Sequence, residues 1–172
     1  IDPTGIGRIL RLTEMGEIER EISRVVSELN PVRVLYYGFS MGGYPALVLG
    51  SQHEAAQVLV LSAETELGLH GMRSSIQPPY DLSGNAEDAV ATRRATRITA
   101  LYGEFSFEDA EFSWRMCRLG TNVRLLPCAH LTEPYLCGIG EFQTTVLQAM
   151  LGAPIAISSR DPTERPENAV IY

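Results

Sequence analysis

The run Gly38-Phe39-Ser40-Met41-Gly42-Gly43 constrains this chain more than any other stretch. An apolar, β-rich segment, Val32-Arg33-Val34-Leu35-Tyr36-Tyr37, leads into it, and a helix-forming segment, Tyr44-Pro45-Ala46-Leu47-Val48-Leu49, leads out. Strand, G-x-S-x-G, helix is the layout that lifts a serine hydroxyl clear of a sheet edge toward a base. The turn is sharp and crowds the backbone around the serine, so glycine is expected at 38 and 42, with Gly43 a further small residue. The helix that follows directs free N–H groups at the serine, and the N–H of Met41 is placed as a donor to a developing oxyanion. An ordinary glycine-rich turn whose serine merely caps the next helix has the same composition. A phosphate-binding turn fits less well, because no G-x-G-x-x-G is present and no lysine follows the glycines.

The remaining sequence sets bounds on class. A chain of 172 residues with 45% hydrophobic content can bury one real core. Its net charge of −7 argues against nucleic acid as a partner, and all 14 basic residues are arginine. No apolar run is long enough to span a membrane as a helix. The start, Ile1-Asp2-Pro3-Thr4-Gly5, reads as neither a signal peptide nor an initiator methionine, which suggests a cleaved or truncated chain. Cys117, Cys128 and Cys137 are odd in number and widely spaced, so neither a disulfide framework nor a structural zinc site is expected, and a cytoplasmic, reducing location is the default. Cys128 stands two residues from His130 and reads as a half-buried cysteine at a strand end.

Periodicity orders the elements. Thr13 to Leu29 predicts an amphipathic helix with Ile18, Ile22, Val25, Val26 and Leu29 on one face, ended by Asn30-Pro31. Val32–Tyr37 and Gln57–Ser62 predict buried parallel strands. Residues 64–92 are irregular apart from a short helix near Ala86–Ala91, and a stretch of that kind reads as an insertion or cap. Arg97–Tyr102 predicts a strand, Phe107–Leu119 a helix with Ser106 as N-cap, Asn122–Leu126 a strand and Gly140–Leu151 a last helix. From Ala153 the chain reads as a linker-like tail or arm, so the domain is expected over 1–152 and the tail over 153–172. Such alternation implies an α/β class: a parallel sheet with helices on both faces and its chemistry at the carboxyl ends of the strands.

With the Gly38–Gly42 elbow, an acidic region near Asp109 and His130 following in that order, the chain resembles the α/β-hydrolase superfamily from about Val32 to Leu151, the carboxyl-terminal half of that fold. The resemblance implies Ser40 as nucleophile and His130, just after the last strand in Leu126-Pro127-Cys128-Ala129-His130, as general base. His53 and His70 stand where neither suits a base for Ser40. The acid is open. Gly103-Glu104-Phe105-Ser106 carries a serine where the family often has aspartate; Asp109 is the first choice, Glu108 the second and Glu64 a third. Ser106-x-x-Asp109 also reads as a helix-capping box.

Only 39 residues precede Ser40, with no convincing strand among them, so the sheet is expected to lack the family's amino-terminal strands and the loop that supplies a second oxyanion donor. A further segment or a second copy of the chain would then cover the open edge. The activity implied is that of a serine hydrolase, esterase-like, or an acyltransferase, acting on an ester, thioester or amide of a small-molecule acyl substrate without cofactor or metal. Leu67, Leu69, Met72, Arg73, Ile76 and Tyr80 would form one wall of its site. The alternative is a catalytically silent binding module of the same fold.

Overall fold

Residues 15–76 and 84–159 are described by the computed structural model, in which the chain divides into two compact units, residues 1–32 and 33–172. In the first, helix α1 (Met15–Leu29) closes at Asn30, whose left-handed backbone (φ 43°) and N–H bond to the Val26 carbonyl stop the helix. Arg24 bridges Glu21 and Glu28 on its exposed side. The expected start at Thr13 lies outside the described residues.

The second unit runs β1 (Leu35–Phe39), a 3-10 turn (Ser40–Gly42), α2 (Gly43–Gln52), β2 (Gln57–Leu61), β3 (Glu66–Leu67), α3 (Arg73–Ile76), β4 (Gly84–Asn85), α4 (Glu87–Ala91), β5 (Arg97–Gly103), α5 (Phe107–Arg118), β6 (Asn122–Leu126), α6 (Thr132–Gly138) and α7 (Phe142–Met150). Four strands form one parallel sheet in the order β1-β2-β5-β6, and β3 pairs with β4 in a separate antiparallel ribbon. Every step across the main sheet moves to the next strand in one direction. Right-handed crossovers therefore put the connecting helices on one face.

Side-chain alternation divides the core. Val58, Val60, Ile98, Ala100, Tyr102, Val123 and Leu125 face one way and meet Ala46 and Leu47 of α2, Val90 of α4, and Phe112 and Met116 of α5. Leu59, Leu61, Leu101 and Leu126 face the other way and meet Leu136 of α6 and Ala149 of α7. A strand such as Gln57–Leu61 is buried throughout because both faces are covered, which is why its sequence shows no polar alternation. Each leucine so enclosed contributes about 1.5–3 kcal/mol relative to exposure.

Several boundaries depart from expectation. The first strand begins at Leu35, not Val32: Val32 stands in solvent, and pairing to β2 starts where the Gln57 N–H meets the Val34 carbonyl (2.9 Å). β1 pairs with β2 alone among the described residues, so its side chains are mostly half-buried where a fully buried strand was expected. Within 64–92 the chain is less irregular than its composition suggests: β3, α3, β4 and α4 fill it, residues 77–83 lying outside the described set. Helix α6 was not anticipated. Beyond Ala153, Ile155 and Ile157 pack against the α6–α7 side of the core, and residues 160–172 lie outside the described set.

Candidate active site

The carboxyl ends of all four parallel strands meet at one edge. Phe39 is in register with Leu61 and Leu61 with Leu101, while Gly103 is in register with Leu126. Ser40 follows β1 directly, Asp109 lies in the first turn of α5 after β5, and His130 lies in the short loop between β6 and α6.

Ser40 is the sharp point of its turn. Its φ of 51° is left-handed, a conformation that costs a non-glycine residue about 1–2 kcal/mol and persists only where the surroundings enforce it. The enforcing contacts are those of two glycines. A Cβ on Gly38 would run into the backbone of Gly42 and Gly43, and one on Gly43 would overlap the Ala63 side chain. Gly42 was expected to relieve crowding as well, but a Cβ there would meet open space and its backbone is right-handed (φ −67°). Gly42 takes part instead through its carbonyl, against which Gly38 packs. Met41 is the second residue of the 3-10 turn, so its N–H is among the donors that the turn itself leaves unused.

His130 is buried and held on both ring nitrogens. Nε2 lies 3.0 Å from Ser40 Oγ, and Nδ1 lies 2.6 Å from Asp109 Oδ1. Where Asp109 is ionised its carboxylate only accepts, so Nδ1 carries a hydrogen, and in the neutral imidazole Nε2 then has the lone pair that can accept from the serine hydroxyl. The other carboxylate oxygen of Asp109 accepts from the Gly103 N–H (2.7 Å) and from the Ser62 hydroxyl (2.6 Å). Asp109 is thus fully buried but bonded at both oxygens.

The loop that carries the histidine is clamped to the strand that leads to the aspartate. The Glu104 N–H donates to the Leu126 carbonyl (2.9 Å) and the Phe105 N–H to the Cys128 carbonyl (3.0 Å). A Cβ on Gly103 would collide with the Ala129 carbonyl, so glycine is what permits this approach. Asp109 does two jobs at once. Its backbone N–H donates to the Ser106 hydroxyl (3.3 Å) at the helix cap, and its side chain reaches His130.

The other candidates are engaged elsewhere. Glu108 pairs with Arg73 (2.6 Å). Glu64 is buried and accepts from the Ser74 N–H (3.2 Å). His53 Nδ1 lies 2.8 Å from the Tyr36 hydroxyl, and His70 is exposed. Of the side chains expected to wall the site, Met72 belongs to the core, Leu69 packs against it and Arg73 is the partner of Glu108. Tyr80 and the side chain of Ile76 lie outside the described residues. Sequence reasoning missed Ser62 and Thr132. The start of α6 was findable, since Thr132-Glu133-Pro134 carries an acid and a proline in a first helical turn, but nothing in the sequence signals that the Thr132 hydroxyl meets Ser62.

Neutral groups surround the Asp109 carboxylate. Burial, and then the Asp109 charge, raise the Tyr102 phenol well above its usual range. The same two causes push the Cys128 thiol up to about 11. Burial and the neighbouring Glu133 carboxylate likewise raise Tyr37, whose hydroxyl donates to Glu133. Among the described residues no cluster of three or more His, Cys, Asp or Glu side chains could hold a metal ion, and no helix is long and apolar enough to cross a membrane.

No protein-family model and no curated protein matches the sequence. Among solved structures, the chain is similar to a crystal structure of a protein from Agrobacterium vitis S4 provisionally described as a hydrolase. The TM-score is 0.50 with 14% sequence identity, over 79% of this chain and 68% of that one. At such identity the likeness is one of fold. The fold is α/β: a parallel four-stranded sheet flanked by helices, similar to that hydrolase-described protein.

Proposed function

We propose that the protein is a serine-dependent hydrolase or acyltransferase acting on an ester, thioester or amide. The observation that carries this reading is the unbroken line Ser40 Oγ–His130 Nε2 (3.0 Å) and His130 Nδ1–Asp109 Oδ1 (2.6 Å) at the carboxyl edge of a parallel sheet. Ser40 attacks the acyl carbonyl while Nε2 of His130 takes its proton. The resulting imidazolium is stabilised by Asp109, which also fixes the tautomer before reaction. The Met41 N–H is suited to receive the carbonyl oxygen as it becomes negative. His130 then returns the proton to the leaving alcohol, thiol or amine. Water, or an acceptor nucleophile, repeats the sequence in reverse to release the acyl group.

A fluorophosphonate probe tests this directly. Mass spectrometry of the labelled full chain is expected to find the phosphonyl adduct on Ser40 and none in Ser40→Ala. Folded protein with an unmodified Ser40, or equal p-nitrophenyl acetate turnover by the two proteins, would instead mark a silent module of this fold.

A further inference from the structure

Asp109 is not the last member of the hydrogen-bonded line. Behind it stand two buried hydroxyls, on Ser62 just past β2 and on Thr132 at the start of α6. The Ser62 hydroxyl donates to Asp109 Oδ2 (2.6 Å), and its oxygen lies 2.9 Å from Thr132 Oγ1. Ser62 has one hydrogen and gives it to the carboxylate, so Thr132 is the donor in the second bond. Thr132 is in turn tied to the histidine, its backbone N–H donating to the His130 carbonyl (2.9 Å). Leu131 between them has φ −80° and ψ 56°, an inverse γ-turn. The bonds therefore close a ring: His130 ring, Asp109, Ser62, Thr132, His130 backbone.

Ser62 makes its bond from a left-handed backbone, φ 48°. A glycine would hold that conformation at lower cost, and the strain carried by a serine there points to a use for its hydroxyl. From the ring and the strain together, we infer that Ser62 and Thr132 are positioning residues that hold the Asp109 carboxylate, and through it the His130 ring, in the reactive orientation. This rests on the Ser40–His130–Asp109 reading. Asp109 Oδ2 receives hydrogens from two directions, Gly103 on β5 and Ser62 beyond β2, so the carboxylate cannot swing away from Nδ1. Thr132 sets the Ser62 hydroxyl and, by its own N–H, the backbone of His130. One residue thereby registers the acid and the base against each other.

The test uses the full chain and two readouts. The hydrogen between Nδ1 of His130 and Oδ1 of Asp109, in a short charge-assisted bond, gives a strongly deshielded proton resonance. It is expected in the wild type, absent in Asp109→Asn, displaced and broadened in Ser62→Ala and Thr132→Val, and kept in Thr132→Ser. In parallel, kcat for p-nitrophenyl acetate is expected to fall about 10- to 100-fold in Ser62→Ala and Thr132→Val with little change in KM, and to be restored in Thr132→Ser. Ser62→Gly separates strain from function. It is expected to melt about 2 °C or more above Ser62→Ala yet be no more active. If Ser40 reacts with the fluorophosphonate but neither Ser62→Ala nor Thr132→Val moves the resonance or kcat, the ring has no positioning role. If Ser40 does not react while the resonance responds as stated, the catalytic reading falls and the ring stands as the holder of the His130–Asp109 pair.

Discussion

Two serines stand side by side at the sheet edge and face opposite kinds of partner. Ser40 follows Phe39 and Ser62 follows Leu61, and those two residues are partners in the β1–β2 register. Both serines are left-handed, at φ 51° and 48°. Ser40 is half-buried and its hydroxyl meets a histidine nitrogen able to take its proton. Ser62 is 1% exposed and its hydroxyl meets a carboxylate, where it donates a hydrogen bond and keeps the proton. The same backbone device, a strained turn at a strand end, swings each hydroxyl across the edge. Access and partner then decide which one can be a nucleophile.

Cutting the line between the two serines should have the largest effect. Asp109→Asn presents an amide N–H to Nδ1 of His130, which favours the tautomer with hydrogen on Nε2, and that nitrogen can no longer accept from Ser40. A fall in kcat of about 10⁴-fold is expected. Glu108→Gln removes only the surface pair with Arg73 and should leave kcat within about twofold. Steady-state hydrolysis of p-nitrophenyl acetate measures both. Comparable losses in the two variants would mean that Asp109 is not the acid.

The strain at Ser40 can be probed through its neighbours. Gly38→Ala drives a Cβ into the Gly42 backbone, where nothing flexible can give way, and is expected to cost about 2–4 kcal/mol in urea unfolding. Gly42→Ala enters open space from a right-handed backbone and should be neutral or stabilising by about 0.4–1 kcal/mol. Equal destabilisation of the two would contradict the crowding described for the turn.

These same residues show what the sequence could disclose. The elbow was legible because strand, glycine spacing and helix all constrain one short window. The placement of His130 near Ser40 was legible because it follows a recognisable strand, Asn122–Leu126, whose bounds the structure reproduces. Asp109 could be read two ways, as half of a capping box or as the acid, and the two compete for its side chain: only the Ser106 half of the box forms, the Ser106 N–H turns to the Gly103 carbonyl, and the carboxylate meets His130. Gly42 was misread because the motif spacing does not tell which glycine is crowded; only the position of Ala63, on another strand end, settles that for Gly43. Ser62 was illegible. A serine after an apolar strand carries no periodic signal, and its partner Asp109 is 47 residues away.

Cys128 offers the finest comparison, because its thiol senses the charge at the buried end of the line. Burial is the larger cause and the Asp109 carboxylate the smaller, and together they push the thiol up to about 11 from its ordinary 9.0. The fold thus favours the neutral thiol. Its contribution to stability is complete below about pH 9 and is lost as the pH rises through 11. Alkylation by iodoacetamide follows the thiolate, so at pH 8 the exposed Cys137 should react before Cys128. In Asp109→Asn the charge disappears while the burial stays. The midpoint of Cys128 alkylation against pH should therefore drop below its wild-type value yet remain above that of a free thiol. A midpoint that does not move would mean that burial alone raises the Cys128 thiol.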